Sequence, residues 1–288
     1  MAITFEVETE KVKQPWRTIT SLDIKLLKDC DTYRQSEPHY YNQITFKERL
    51  SGLQLHHYYK NNELYMDTVK KHCENAYASM IKSILFVFTT PDGVVLSLTG
   101  PQELIRSLDQ QHNLGEGSVF TVQHAGLNAI SFSMQMKDWV YVSGAEHDFN
   151  VVKDCDCFCS PVRENGEVIG YLGMSFSMEE DHLLMAALFS MTLKYIEEDL
   201  EKQSSSSSKA VVYDRFQQYR LSPREKEIGY LWMNNYSALR IASELGLTEG
   251  TVRNVIKNVY RKAEVSDKGQ FIRKFLIGMM NSYVLMIV

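Results

Sequence analysis

Cysteine is scarce in this 288-residue chain: there are five, an odd number unevenly placed at Cys30, Cys73, Cys155, Cys157 and Cys159. That speaks against a disulfide framework and makes reduced thiols the default. Long hydrophobic runs are missing too. No stretch reaches the roughly 18 continuous apolar residues that a membrane span needs, and the acidic start Met1–Glu10 has no signal-peptide character. A cytoplasmic location with no membrane contact is therefore expected. Nor is there an excess of positive charge: 31 basic against 36 acidic side chains leave −5. At face value that argues against a surface coated for nucleic acid.

What is present is apolar material for a sizeable core. Hydrophobic residues make up 44% and charged residues 23%, a globular composition, and the length points to about two domains. Five consecutive serines, Ser204–Ser208, read as a linker, because none of their side chains can join a core. Dividing the chain there splits the charge. From Lys209 onward there are 13 basic and 7 acidic residues, a net +6, which leaves −11 on the part before it. Such asymmetry points to nucleic-acid binding by the smaller, basic piece.

In the acidic part, Ser83–Thr89 and Val94–Leu98 flank the turn Pro91-Asp92-Gly93, and Cys157–Arg163 and Val168–Phe176 flank Asn165-Gly166. Both read as hairpins, Asn-Gly supplying the positive φ that a tight turn needs. Trp139–Val142 reads as another strand, and Glu63–Ile84 and Pro101–Gln111 as helices. The fold class expected is α+β: an antiparallel sheet with flanking helices, followed by an all-α domain. A long helix, roughly Glu179–Lys202, carries two apolar stripes: Leu184, Leu188, Met191 and Tyr195, and beside them Met185, Phe189, Ile196 and Leu200. One stripe fits a core. The other fits either the same core or a second copy of the helix.

In the basic part, Ser222, Pro223 and Glu225 form an N-cap, a first-turn proline and a capping box for a helix running to about Met233. A second helix begins near Ser237, carries Ala238, Ala242 and Leu245 on one side, and closes at Gly246. Thr248 caps a third, Glu249 to about Lys262. Val252, Val255, Ile256 and Val259 form its buried stripe; Arg253, Lys257 and Arg261 form a cationic row, with Asn254 beside them. Arg or Lys can donate to guanine and Asn can pair with adenine in the major groove. A merely solvated basic face is the plainer alternative.

The ordered set Leu221-Ser222-Pro223-Arg224-Glu225, Ile241–Thr248, Thr251-Val252-Arg253-Asn254 and Asn258–Lys262 resembles the LuxR/GerE helix-turn-helix of bacterial transcription regulators. The resemblance implies base contacts from Arg253, Asn254 and Lys257 and backbone contacts from Thr251, Arg261 and Lys262, with Asn258 on the same helix. It further implies operator DNA as partner, a homodimer, and RNA polymerase as a further contact. The apolar Phe271–Val288 is read as a dimer helix, Lys268–Met280, and a buried tail, Ser282–Val288, with packing inside its own chain as the alternative.

The segments Gly115–Phe120, Gly126–Ile130, Gly144–His147, Cys157–Pro161 and Gly166–Ser175 resemble the GAF-type sensor of acetoin-catabolism activators, over roughly Asn61–Leu200. The ATPase module usual in those proteins is missing, since the chain has no Gly-x-x-x-x-Gly-Lys-Ser/Thr loop. The resemblance implies a GAF-like small-molecule pocket, for which Phe120, Asn128, Glu146, His147 and Cys157 are the candidates. Each has a structural alternative: Asn128 as a turn cap, Glu146-His147 bonding a loop, Phe120 in the core. The expected domains are a helical extension at 1–60, a sensor at 61–203, a linker at 204–209 and a DNA-binding domain at 210–288.

Cys155, Cys157 and Cys159 alternate, so on a strand they share a face. A thiol or metal sensor is one alternative reading, and a Cys157–His147 hydrolase is another. Neighbours on a straight strand lie nearly 7 Å apart and converge poorly on a tetrahedral metal. The favoured reading is a ligand-responsive transcription regulator, with no catalytic site, metal or cofactor.

Overall fold

The computed structural model describes residues 14–19, 46, 48–80 and 84–275, without the side chains of 206–208. Two compact units divide the chain, Met1–Glu201 and Lys202–Val288.

In the first unit, helix α1 (Gly52–Ala78) precedes strands β1 (Ile84–Thr89) and β2 (Val95–Thr99). Helices α2 (Gln102–His112), α3 (Val122–Ala125) and α4 (Ala129–Met136) follow. Strands β3 (Val140–Ser143), β4 (Cys155–Glu164) and β5 (Glu167–Ser177) complete a five-stranded sheet in the order β2-β1-β5-β4-β3. Every neighbouring pair is antiparallel. Both expected hairpins form. In the second, Asn165 and Gly166 take φ of 50° and 86°, the left-handed pair that a two-residue turn demands.

All six residues of β1 are buried because β1 is covered on both faces. Ile84, Phe86 and Phe88 join one core with Val69 and Cys73 of α1. Leu85 and Val87 join the other with Phe120, Ile130, Cys157 and Cys159. The period-2 alternation of a strand divides a continuous apolar run between two layers.

Helix α5 (His182–Gln218) is longer than expected and includes the serine tract. Ser204–Ser208 is therefore helical and not an irregular linker. Serine costs only a few tenths of a kcal/mol per helical residue relative to alanine. Extending an existing helix is far easier than nucleating one. The tract is anchored on both sides, by fully buried Leu200 before it and by Val212 and Phe216 after it. The two stripes of α5 separate except at one position: Met185, Phe189, Ile196 and Leu200 are fully buried and Leu184, Met191 and Tyr195 are about half exposed, but Leu188, from the same stripe as Leu184, packs against the core.

Helix α1 starts eleven residues before the expected Glu63 and stops at Ala78, and Ile84 opens β1 instead of closing the helix. A β-branched, apolar run that can pair with two strands favours the sheet over helix continuation. Most of the 1–60 extension lies outside the described residues. Its described parts before Gly52 are not helical: Arg17 bridges Val140 and Arg49 bridges Ser118, while Trp16 packs on Trp139 and Phe158. Cys30 and residues 276–288, including the end of the expected dimer helix and its tail, are also outside the description.

In the second unit, α6 (Pro223–Met233), α7 (Ala238–Leu245) and α8 (Glu249–Ala263) take the expected boundaries. The capping box of Ser222 and Glu225 is formed, and Ser237 and Thr248 cap the next two helices. Gly246 closes α7 with φ of 63°, where a Cβ would be strained. Residues 268–275 are helical, and Phe271 and Phe275 pack with Val212, Phe216 and Val259 in this unit's own core.

Candidate nucleic-acid interface and effector cavity

Helix α8 is held by one face. Val252 and Ile256 pack with Ile228 of α6 and with Ala238, Ile241 and Ala242 of α7, which fixes the recognition helix against the helix before the turn. Val259 and Ala263 enter the neighbouring cluster. The opposite face is free: Thr251, Arg253, Asn254, Lys257, Asn258 and Arg261 are all exposed. Arg253 donates from Nε to Glu249 Oε1 at 2.8 Å and from Nη2 to the same oxygen at 2.5 Å. Arg261 lies 3.4 Å from the Asn258 amide oxygen, a loose contact. The Thr251 hydroxyl lies 2.8 Å from that of Thr248, at the helix cap.

Lys262 is placed differently from the rest of the row. Its Nζ donates to Glu225 Oε2 at 2.6 Å and to the Arg220 carbonyl at 3.3 Å. Glu225 also accepts from the Ser222 backbone at 2.8 Å. Burial alone would push the Glu225 carboxyl up, but the hydrogen bonds from Lys262 and Ser222 outweigh it and hold the group below its ordinary value. Lys262 thus ties the end of α8 to the start of α6. Lys262→Met should destabilise this unit by on the order of 1 kcal/mol while leaving the salt dependence of DNA binding unchanged. Urea melts and affinity titrations at several salt concentrations check both halves. A salt slope shallower by about one would return Lys262 to the phosphate contacts.

Of the five pocket candidates, Phe120, Asn128, His147 and Cys157 line one cavity of about 40 Å³ on the second face of the sheet, with Leu114, Ile130, Val152 and Ser175 among its other walls. Glu146 does not line it. The Glu146 side chain is exposed and accepts from the Ser143 backbone at 2.8 Å, capping a short 3-10 turn. In that turn consecutive residues point apart, so Glu146 faces outward while His147 is buried.

Asn128 reaches the cavity wall, yet its amide is engaged elsewhere. Its oxygen accepts from Ser131 N at 3.0 Å and its nitrogen donates to the Gly126 carbonyl at 3.0 Å. Ser131 reciprocates by accepting from Asn128 N at 3.0 Å, a capping box for α4, the helix that the sequence pattern missed. Gly126 takes φ of 64° there, and a Cβ on it would meet Asp148 Cβ at 2.6 Å. Asp148 in turn accepts from Leu127 N at 2.7 Å.

His147 is 2% exposed. Its Nδ1–H donates to the Gly144 carbonyl at 2.9 Å, and Nε2 has no hydrogen-bond partner among the described residues. Burial pushes its pKa down, so the ring is neutral near pH 7.

The cysteines of β4 do share a face. Cys157 and Cys159 are buried and Cys155 packs against the same cluster. Burial pushes the Cys157 thiol up to about 12, and those of Cys155 and Cys159 also rise. That is opposite to what a thiolate nucleophile or ligand needs. No group of three or more potential ligands gathers to hold a metal among the described residues.

Residues 219–275 match the GerE family, the bacterial regulatory proteins of the luxR family. A signal-transduction and transcriptional-control protein of Clostridium beijerinckii is 30% identical over 128 residues, 44% of this chain and 20% of that protein. This chain therefore spans only 20% of that curated relative's length. A chain of the E. coli DhaR(N)-DhaL complex superposes with a TM-score of 0.61 at 12% identity, covering 69% of this chain and 67% of that one. At such identity the likeness speaks for the fold. Residues 219–275 carry a LuxR-family helix-turn-helix, and the α+β unit before them shares the fold of the DhaR(N)-DhaL complex chain. No helix among the described residues is long and apolar enough to cross a membrane.

Proposed function

We propose that the chain is a ligand-responsive transcription regulator that binds operator DNA through α8 and a small effector in the cavity beside His147. The observation that carries the first half is the division of α8 into a buried apolar face and an exposed row of Arg253, Asn254 and Lys257. This arrangement can insert in the major groove without unpacking the helix. The exposed Arg253–Glu249 pair contributes little to stability, so Arg253 exchanges Glu249 for a base or phosphate at small cost. The net charge of +6 from Lys209 onward supplies the attraction to phosphate, and the −11 before it discourages DNA from the sensor.

The regulator acts as a dimer in this reading, because a helix-turn-helix reads two half-sites through a two-fold pair. The half-exposed Leu184, Met191 and Tyr195 on α5 are the surface proposed for pairing with a second copy. In this reading the chain acts as a regulator and not as an enzyme: burial holds the Cys157 thiol protonated, and among the described residues no carboxylate lines the cavity beside it.

Fluorescence anisotropy of the full chain on promoter DNA, at several salt concentrations and with and without a small-molecule library, tests both halves. The expected result is a steep loss of affinity with salt and a shift of affinity by at least one compound. A salt-independent isotherm, or affinity unmoved by any compound that binds the protein, would overturn the reading.

A further inference from the structure

The cavity's chemistry narrows what it can hold. At about 40 Å³ it is well under a third of the 150 Å³ engineered cavity that admits benzene. A ligand of about five heavy atoms enters only as the walls yield. The lining is mostly apolar: Leu85, Val87, Leu114, Phe120, Ile130 and Val152. Among the described residues no Asp, Glu, Lys or Arg side chain lines it, so none of them offsets the cost of burying a charged ligand.

The polar atoms of the wall differ in how far they are already used. Asn128 is committed to the α4 cap and to Gly126. Cys157 Sγ and Ser175 Oγ lie 3.1 Å apart and satisfy each other. His147, which lines the cavity, alone of these carries a buried nitrogen without a partner among the described residues, and that nitrogen is an acceptor. With the Nδ1 proton given to Gly144 at 2.9 Å, a neutral ring leaves Nε2 as a bare lone pair. A buried unpaired acceptor costs about 1–3 kcal/mol, which a ligand donor can recover.

We propose that the effector is a small uncharged molecule that donates one hydrogen bond, from a hydroxyl or a ring N–H, to His147 Nε2, its apolar remainder lying against Phe120, Ile130 and Val152. The inference rests on the cavity being the effector site. His147 is then the specificity-determining residue. A site built around an acceptor rejects molecules of equal shape that only accept, because each such molecule leaves Nε2 buried and unpaired. Carboxylates are rejected twice over, by their charge and by lone-pair repulsion.

The test uses the full chain and five probes: pyrrole and furan, which share shape but differ in N–H against ether oxygen; 2-butanol and 2-butanone; and butyrate. Binding is followed by ligand-observed NMR, and the ¹⁵N resonance of the His147 ring reports on Nε2 directly. Pyrrole and 2-butanol are expected to bind about tenfold more tightly than furan and 2-butanone. They alone should move the Nε2 resonance, and butyrate should not bind. In His147→Phe the preference should vanish while furan still binds. Because the ¹⁵N measurement needs no variant, it stands even if His147→Phe fails to fold. Equal binding of both members of each pair, or a preference that survives in His147→Phe, would overturn the donor inference alone. Absence of binding by all five would overturn both that inference and the cavity as effector site.

Discussion

Arg253→Ala and Lys257→Ala should each weaken operator binding by about 1–3 kcal/mol, or roughly 5- to 150-fold, without unfolding the C-terminal unit. Both side chains stand on the exposed face of α8, and the core behind them is made by Val252 and Ile256. Truncation therefore removes a contact to DNA and leaves the packing alone. The two differ in the free protein. Arg253 is paired with Glu249, so its loss also strands a carboxylate near the groove and its alanine variant should suffer more. A change that lowers affinity for all sequences equally and flattens the salt slope marks a phosphate contact. A relaxed preference at one base pair marks a base contact. Anisotropy titrations on matched and mutated operators separate the two, and unchanged affinity in both variants would remove α8 from the groove.

The second large effect lies in the first unit. Phe189→Ala should destabilise the first unit by about 3–5 kcal/mol, a large part of the stability of an ordinary domain. Phe189 is fully buried. Its ring stacks at 5.9 Å and 19° on Phe158 of β4 and lies 5.7 Å from Trp139. It thus fastens the first part of α5 to the sheet through an aromatic cluster that includes Trp16 and Phe176. Offset and tilted ring pairs add to the area they bury, and few neighbours can collapse into the hole. Trp16, Trp139 and Trp232 are the three tryptophans of the chain. Urea unfolding followed by fluorescence in a Trp232→Phe background therefore reports the first unit alone. A cost below about 1 kcal/mol would mean that α5 is held by something other than this cluster.

The parts of the fold legible in the sequence are those written in adjacent residues. Ser222, Pro223 and Glu225, then Ser237, Gly246 and Thr248, set four helix ends through hydrogen bonds spanning at most four positions. Asn165-Gly166 set a hairpin in the same way. The stripe of Met185, Phe189, Ile196 and Leu200 was legible as well, since a 3.6-residue period needs only one helix to express it. What composition could not show was that Ser204–Ser208 continues α5. That depends on Val212 and Phe216 finding a core beyond the tract, which is a tertiary fact.

The cavity was legible as a group of residues and not as a division of labour among them. Phe120, Asn128, His147 and Cys157 do line one space. Asn128 proves to be a cap because its partner Ser131 lies three residues on, a reciprocal signal present in the sequence but overshadowed by the glycines before it. Glu146 and His147 are adjacent, and only the backbone path through the 3-10 turn settles which one turns inward. Lys262 looked like the last member of a basic row, yet its nearest anion, Glu225, is 37 residues away in the chain and 2.6 Å away in space. Ion pairs of that kind have no local signature.

The proposed function stands on the exposed face of α8 reading DNA sequence. Selection of binding sites from a random duplex library by the 288-residue chain, repeated with the Arg253→Ala, Lys257→Ala double variant, tests it. A two-fold symmetric motif should be enriched by the unaltered chain and lost with the double variant, while Lys262→Met recovers the same motif. A library that shows no enrichment, or the same motif at the same affinity from the double variant, would contradict it.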